Sequence, residues 1–173
     1  MNKKISIEES NMIFGPYDKE QFFHIENSYI YKNLGKNVKI TEFILLKQVN
    51  SEKKMYIIEA KSSAPNPGNN KSENFDKYID EISEKLLNSL LLTVATFFER
   101  HKDNYYEFPD EFKKVYNYSL KTILLLVINN HKIEWLDPIS IALNIKMRNV
   151  SRTWPLKVAV INDSIAREKG FIT

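Results

Sequence analysis

The sequence predicts a mixed α/β (α+β) fold, with a central mixed sheet flanked by helices. Three observations predict it. Three β-prone runs, at residues 22–32, 38–47 and 54–60, follow one another with only short turns between them, as in an antiparallel meander. A long segment with apolar residues at helical spacing comes next, over residues 75–100. The continuous apolar run Ile123-Leu124-Leu125-Leu126-Val127-Ile128 then reads as a strand buried on both faces.

Taken in order, the first dozen residues read as a short helix or a loose arm, and Phe14-Gly15-Pro16-Tyr17-Asp18 as a turn-rich entry. Residues 22–32 carry Phe22, Phe23, Ile25, Tyr29, Ile30 and Tyr31, the composition of a strand. A turn at 33–37 leads to the second strand, and a tight turn at 49–52 to the third. Residues 62–74, with Pro65, Pro67, Gly68 and several Asn, make a polar loop. In the long helix, Phe75, Ile79, Ile82, Leu86, Leu90, Val94 and Phe97 form the buried stripe. Asp76, Lys77, Asp80, Glu81, Glu84 and Lys85 form its solvated face.

A short helix at 109–116 precedes the apolar strand at 121–129. Asp137-Pro138 opens a further helix, with the acid as cap and proline at the first position, running to about residue 149. A strand at 155–161 and a last helix capped by Asp163 complete the order. The length suits one domain, 1–173, with a core over about 22–130 and a C-terminal elaboration over 131–173.

Composition narrows the chemistry. With 25 basic and 22 acidic residues the net charge is +3, too small to signal nucleic-acid binding by itself. The absence of cysteine excludes disulfides, thiol nucleophiles and cysteine-ligated zinc, and suits a cytoplasmic protein. No apolar run is long enough to span a bilayer, and the amino terminus lacks the apolar centre of a signal peptide. No membrane partner is expected.

Of three acid-x-Lys triplets, Glu52-Lys53-Lys54, Glu59-Ala60-Lys61 and Glu111-Phe112-Lys113, only the second ends an apolar, β-prone run. Positions i and i+2 of a strand share a face, so Glu59 and Lys61 project side by side. A two-residue turn at Asn50-Ser51 sets Ile44 opposite Ile57, Glu42 opposite Glu59 and Ile40 opposite Lys61. A turn displaced by one residue sets Glu42 opposite Lys61 instead and keeps all three on one face. A one-residue change in the pairing register sends Glu42 to the other face. Opposed carboxylates have β-carbons about 4.5–5.5 Å apart and repel, a penalty that a bound cation removes. A turn centred near Gly35 would put Ser28 opposite Glu42 and add Glu26 as a third carboxylate. His24 lies close by and is a weaker candidate for metal or phosphate; His101 and His131 are expected at the surface.

This arrangement resembles the PD-(D/E)xK nuclease superfamily, the restriction-endonuclease-like fold. Thr41-Glu42-Phe43-Ile44-Leu45-Leu46 resembles its acidic second strand, and Ile57-Ile58-Glu59-Ala60-Lys61 its acid-x-Lys third strand; the helix and strand that follow also match. Thr41 stands where the superfamily pattern has proline, and the first acid is Glu rather than Asp. The resemblance covers roughly residues 22–130. It implies that Glu42 and Glu59, with Glu26 in support, hold Mg²⁺ or Mn²⁺, and that Lys61 orients or helps deprotonate the attacking water and stabilises the phosphate. It further implies a DNA-cutting nuclease, as a module of a phage-defence, recombination or repair system. The alternative within the same superfamily is a catalytically inactive subunit that binds nucleic acid or a partner protein.

Secondary contacts are sparser. Ser63 either meets phosphate or caps the strand. Lys146, Arg148 and Arg152, with Lys157 near Trp154, form the best basic cluster for phosphate contacts, or an ordinary solvated face. Tyr105, Tyr106, Phe108, Tyr116 and Tyr118 are either base-stacking or core aromatics. A partner protein or a second copy of the chain would supply any sequence specificity.

Overall fold

The computed structural model describes residues 3–35, 37–66, 72–115 and 120–173. Tyr116, Tyr118, Pro67 and Gly68 lie outside them. The architecture is mixed α/β, with a two-stranded antiparallel sheet and a five-stranded mixed sheet flanked by helices.

The chain opens with β1 (Lys4–Glu9) and β2 (Met12–Asp18), an antiparallel hairpin where a helix or loose arm was expected. The turn is made by Ser10 and Asn11, both at positive φ, the backbone that a two-residue hairpin needs. Gly15-Pro16 is no turn but an irregular stretch of β2, where the register shifts between Ile5 and Ile7. A Cβ at Gly15 would meet the Ile5 carbonyl oxygen at 2.8 Å, so the close pairing requires glycine. Alternation of Ile5 and Ile7 with polar neighbours carried the strand signal, and the Gly-Pro pair obscured it.

The five-stranded sheet follows the order β3 (Phe22–Phe23), β4 (Phe43–Val49), β5 (Glu52–Lys61), β6 (Lys121–Ile128), β7 (Lys157–Asn162). The first three run antiparallel, while β5, β6 and β7 are parallel, so β4 alone opposes the others. The expected strand at 22–32 shrinks to β3. Beyond it come a 3-10 turn at Ile25–Asn27 and α1 (Tyr29–Lys32). Two anchors override the β-prone composition. Ser28 caps α1 by accepting from the Tyr31 N–H at 3.1 Å, and the distant Glu107 carboxylate accepts from the N–H groups of Tyr29 and Ile30. The second expected strand also starts later, at Phe43, because α2 (Ser72–Phe97) captures the preceding backbone. Ser89 accepts from the Thr41 N–H at 2.8 Å, and Asn88 donates to the Lys39 carbonyl.

Each face of the sheet has its own apolar core. Ile44, Leu46, Met55, Ile57, Leu124 and Leu126 pack beneath Ile79, Ile82, Leu86 and Leu90 of α2. Further along the chain come α3 (Asp110–Val115) and α4 (Leu136–Lys146), and α4 adds Ile139 and Leu143 to this core. On the opposite face Phe43, Leu45, Ile58, Leu125 and Val127 meet Met12, Phe14 and Tyr17 of the hairpin. The chain ends with α5 (Arg148–Thr153) and, after β7, α6 (Asp163–Glu168).

Several boundaries differ from expectation. The helix expected over about 137–149 is two helices, broken at Met147. Trp135, not Asp137, occupies the N-cap of α4, and Asn162, not Asp163, caps α6 by accepting from the Ile165 N–H at 3.0 Å. Asp163 instead accepts from the Asn130 N–H at 2.9 Å. His131 is buried rather than at the surface, and Asn162 donates to its carbonyl.

Candidate active site

The β4–β5 hairpin turns at Asn50 and Ser51, with φ of 49° and 64°, and pairs Ile44 with Ile57 and Phe43 with Ile58. This is the register that sets Glu42 across from Glu59, and the Glu42 N–H donates to the Ile58 carbonyl at 3.2 Å. Glu59 points from β5 to the face covered by α2 and is fully buried. Lys61, two residues on, projects to the same side.

Helix α2 lays a second lysine over this pair. Lys85 Nζ is 2.7 Å from Glu59 Oε1 and 3.9 Å from Glu42 Oε1. Lys61 Nζ is 3.3 Å from Glu59 Oε1 and 2.9 Å from Glu81 Oε1. One turn apart on α2, Glu81 and Lys85 share a helix face, and both turn toward the sheet instead of lying on the expected solvated side. Both ammoniums serve Glu59 Oε1. Among the described residues, Glu59 Oε2 is buried with no hydrogen-bond partner, and so is the Tyr78 hydroxyl.

The cluster extends through Glu42 to a further group. Glu42 and Glu26 share a side-chain hydrogen bond, and the Glu26 N–H donates to the Glu42 carbonyl at 3.4 Å. Glu26 thus reaches the site from a 3-10 turn rather than a strand, and Ser28 is not the residue opposite Glu42. Glu26 also groups with His24 and with Glu9 of β1, one ligand atom of each lying within 4.8 Å of the others. Glu9 Oε1 and His24 Nε2 are 3.7 Å apart. Of the three predicted metal ligands, Glu26 alone belongs to this mutually close set; Glu42 joins it through Glu26, and Glu59 joins through Lys85.

Electrostatics follow from burial. Desolvation, the Glu26 hydrogen bond and the charge of Glu59 push the Glu42 carboxyl up to about 9, so it holds a proton at neutral pH. Burial raises Glu59 as well, against the pull of Lys85 and Lys61. Desolvation lowers Lys61, but Glu81 and Glu59 outweigh it and hold its ammonium above the usual range. Burial lowers His24 despite the nearby Glu26, which favours the neutral imidazole that ligates metals. Five carboxylates, on Glu9, Glu26, Glu42, Glu59 and Glu81, therefore face two ammoniums. A proton on Glu42 offsets part of the excess.

The predicted phosphate contacts stand apart. Ser63 is exposed, two residues beyond Lys61. Lys146 pairs with Asp80 of α2 at 2.7 Å, and Arg148 and Arg152 are exposed on α5. Sequence reasoning missed Glu9, Glu81 and Lys85. The spacing of Glu81 and Lys85 was visible, but nothing local marked that helix side as covered. No family model matches the chain, and no curated protein or solved structure is significantly similar to it. Among the described residues no helix is long and apolar enough to cross a membrane.

Proposed function

We propose that the chain is a metal-dependent nuclease, with a restriction-endonuclease-like core, that hydrolyses phosphodiester bonds in DNA. One observation carries the reading: at one buried sheet end Lys61 and Lys85 both hold Glu59 Oε1, Lys85 links Glu59 to Glu42, and Glu59 Oε2 has no hydrogen-bond partner among the described residues. The element order supports it, with an acid before the second meander strand, acid-x-Lys ending the third, then a long helix and a parallel strand.

The donor set fits a hard divalent cation. Carboxylate oxygens are the preferred ligands of Mg²⁺ and Mn²⁺, one of them is buried and unpaired, and Glu42 carries a proton that a cation would replace. Glu42 and Glu59 would hold the ion, with Glu26 as the third carboxylate. When bound, the ion activates water and neutralises charge developing on the phosphate. Lys61 is held too firmly protonated to act as a base, so its contribution is a fixed positive charge aimed at the scissile phosphate. Lys85 orients Glu59 by gripping Oε1 and leaving Oε2 free. Ser63, Lys146, Arg148 and Arg152 are the proposed phosphate contacts along the strand.

One observation favours a second reading. Lys85 and Lys61 already neutralise Glu59 without any ion, as expected of an inactive nuclease-fold subunit that binds nucleic acid or a partner protein. Incubation with plasmid, single-stranded DNA and RNA, in Mg²⁺, Mn²⁺ or EDTA, separates the two. Metal-dependent cleavage that falls by about 10²-fold or more in Lys61→Ala supports the nuclease. Cleavage that survives Lys61→Ala combined with Glu59→Gln overturns it, and binding without cleavage selects the second reading.

A further inference from the structure

The sheet carries a second concentration of charge, of the opposite sign, on the face away from α2. Where the β1–β2 hairpin stops covering it, a cavity of about 620 Å³ opens over β4, β5, β6 and β7. Its apolar floor includes Ile123, Leu125, Ala159 and Ile161, and Tyr56 packs edge-on against Phe171 at its side, ring centres 5.0 Å apart. Among the described residues four lysines, Lys47, Lys54, Lys157 and Lys169, line it, and no carboxylate does.

These lysines are placed against their own repulsion. Lys47 and Lys54 are direct partners across the β4–β5 ladder, an arrangement that destabilises a sheet when both are charged. Lys54 is also in register with Lys121 of β6. Lys121 holds Glu52 at 2.8 Å, so the acid two residues before Lys54 is already engaged. Among the described residues none of the four has an ion pair within 4.0 Å. Lys47 donates to the Gly170 carbonyl at 3.0 Å and lies 5.3 Å from the centre of the Phe171 ring, which fixes it at the cavity wall.

A cavity of this size lies in the range of small-ligand sites. We propose that it binds a nucleoside phosphate, with the phosphates among the lysines and the base on the apolar floor beside Tyr56. Charge decides the class. A fatty acid brings one negative charge to four ammoniums and leaves the Lys47–Lys54 repulsion in place. A phosphate ester brings close to two charges per terminal group and three acceptor oxygens. An extended nucleic-acid strand fits less well, because Glu59 faces the other side of the sheet.

Isothermal titration in EDTA tests the site independently of the metal-dependent one, using AMP and ATP as probes beside inorganic phosphate, palmitate and an oligothymidylate. Binding of AMP or ATP, weakened at least tenfold in Lys54→Glu/Lys157→Glu and by the cavity-filling Ala159→Trp, is expected. Lys3→Glu/Lys102→Glu, an equal change of net charge elsewhere, should leave it unaltered. The proposal fails if neither nucleotide binds, if the two charge variants weaken binding equally, or if phosphate, palmitate or the oligonucleotide binds more tightly than AMP and ATP. Circular dichroism of each variant ensures that a loss reports the cavity and not the fold.

Discussion

Lys85 is the residue on which the acidic site turns, since its ammonium lies between Glu59 and Glu42 as an internal cation. Removing one partner of a buried pair costs far more than the pair contributes, because the remaining charge is stranded. Lys85→Met should therefore destabilise the metal-free protein by about 3 kcal/mol in urea melts. Added Mn²⁺ should recover most of the loss by taking up the charge of Glu59. Unchanged stability, or a loss that Mn²⁺ does not touch, would contradict this role. Glu42 makes the complementary case. Its folded-state pKa of about 9 stands above the ordinary 4.5, so the folded protein binds the extra proton between those values. The stabilising proton is fully present below about 4.5 and is lost as pH rises through about 9. Thermal melts in EDTA should fall in midpoint over that range for the wild type and fall less for Glu42→Gln. Parallel pH profiles for the two would show that Glu42 is not the titrating group.

At the scale of elements, the β4–β5 hairpin governs the geometry, because a one-residue slip would turn Glu42 away from Glu59. Its turn is built from Asn50 and Ser51 in left-handed conformations, which glycine adopts at lower cost at the second position. Ser51→Gly should raise stability by roughly 0.5–1 kcal/mol, with an unchanged denaturant slope. A fall in stability would mean that the Ser51 side chain supports the turn. This hairpin was legible in the sequence because everything that sets its register is local, namely a two-residue turn and alternating apolar positions. The segment from Phe22 to Lys32 was not. Its aromatic and β-branched residues favour a strand, yet a carboxylate 77 residues away, on Glu107, accepts from the Ile30 N–H and stabilises a helical turn there. The 3-10 turn just before it, Ile25–Asn27, is what carries Glu26 to Glu42.

Across the whole molecule, the sheet separates two charged regions by face. The acidic cluster lies under α2, built from β1, the 3-10 turn after β3, the approach to β4, the end of β5, and α2 itself. The lysine-lined cavity lies on the other face, over the opposite ends of the strands. Long-range assembly explains what stayed hidden. Glu9, Glu81 and Lys85 join the site only through the fold, whereas Glu42, Glu59 and Lys61 follow from one hairpin. The nuclease reading requires the acidic end of the sheet to bind a divalent cation. Titration of Mn²⁺ into the protein, read by electron paramagnetic resonance, measures this directly. Saturable Mn²⁺ binding in the wild type, lost in Glu59→Gln while that variant stays folded, is the expected result. No saturable binding, or binding that Glu59→Gln leaves intact, would contradict it.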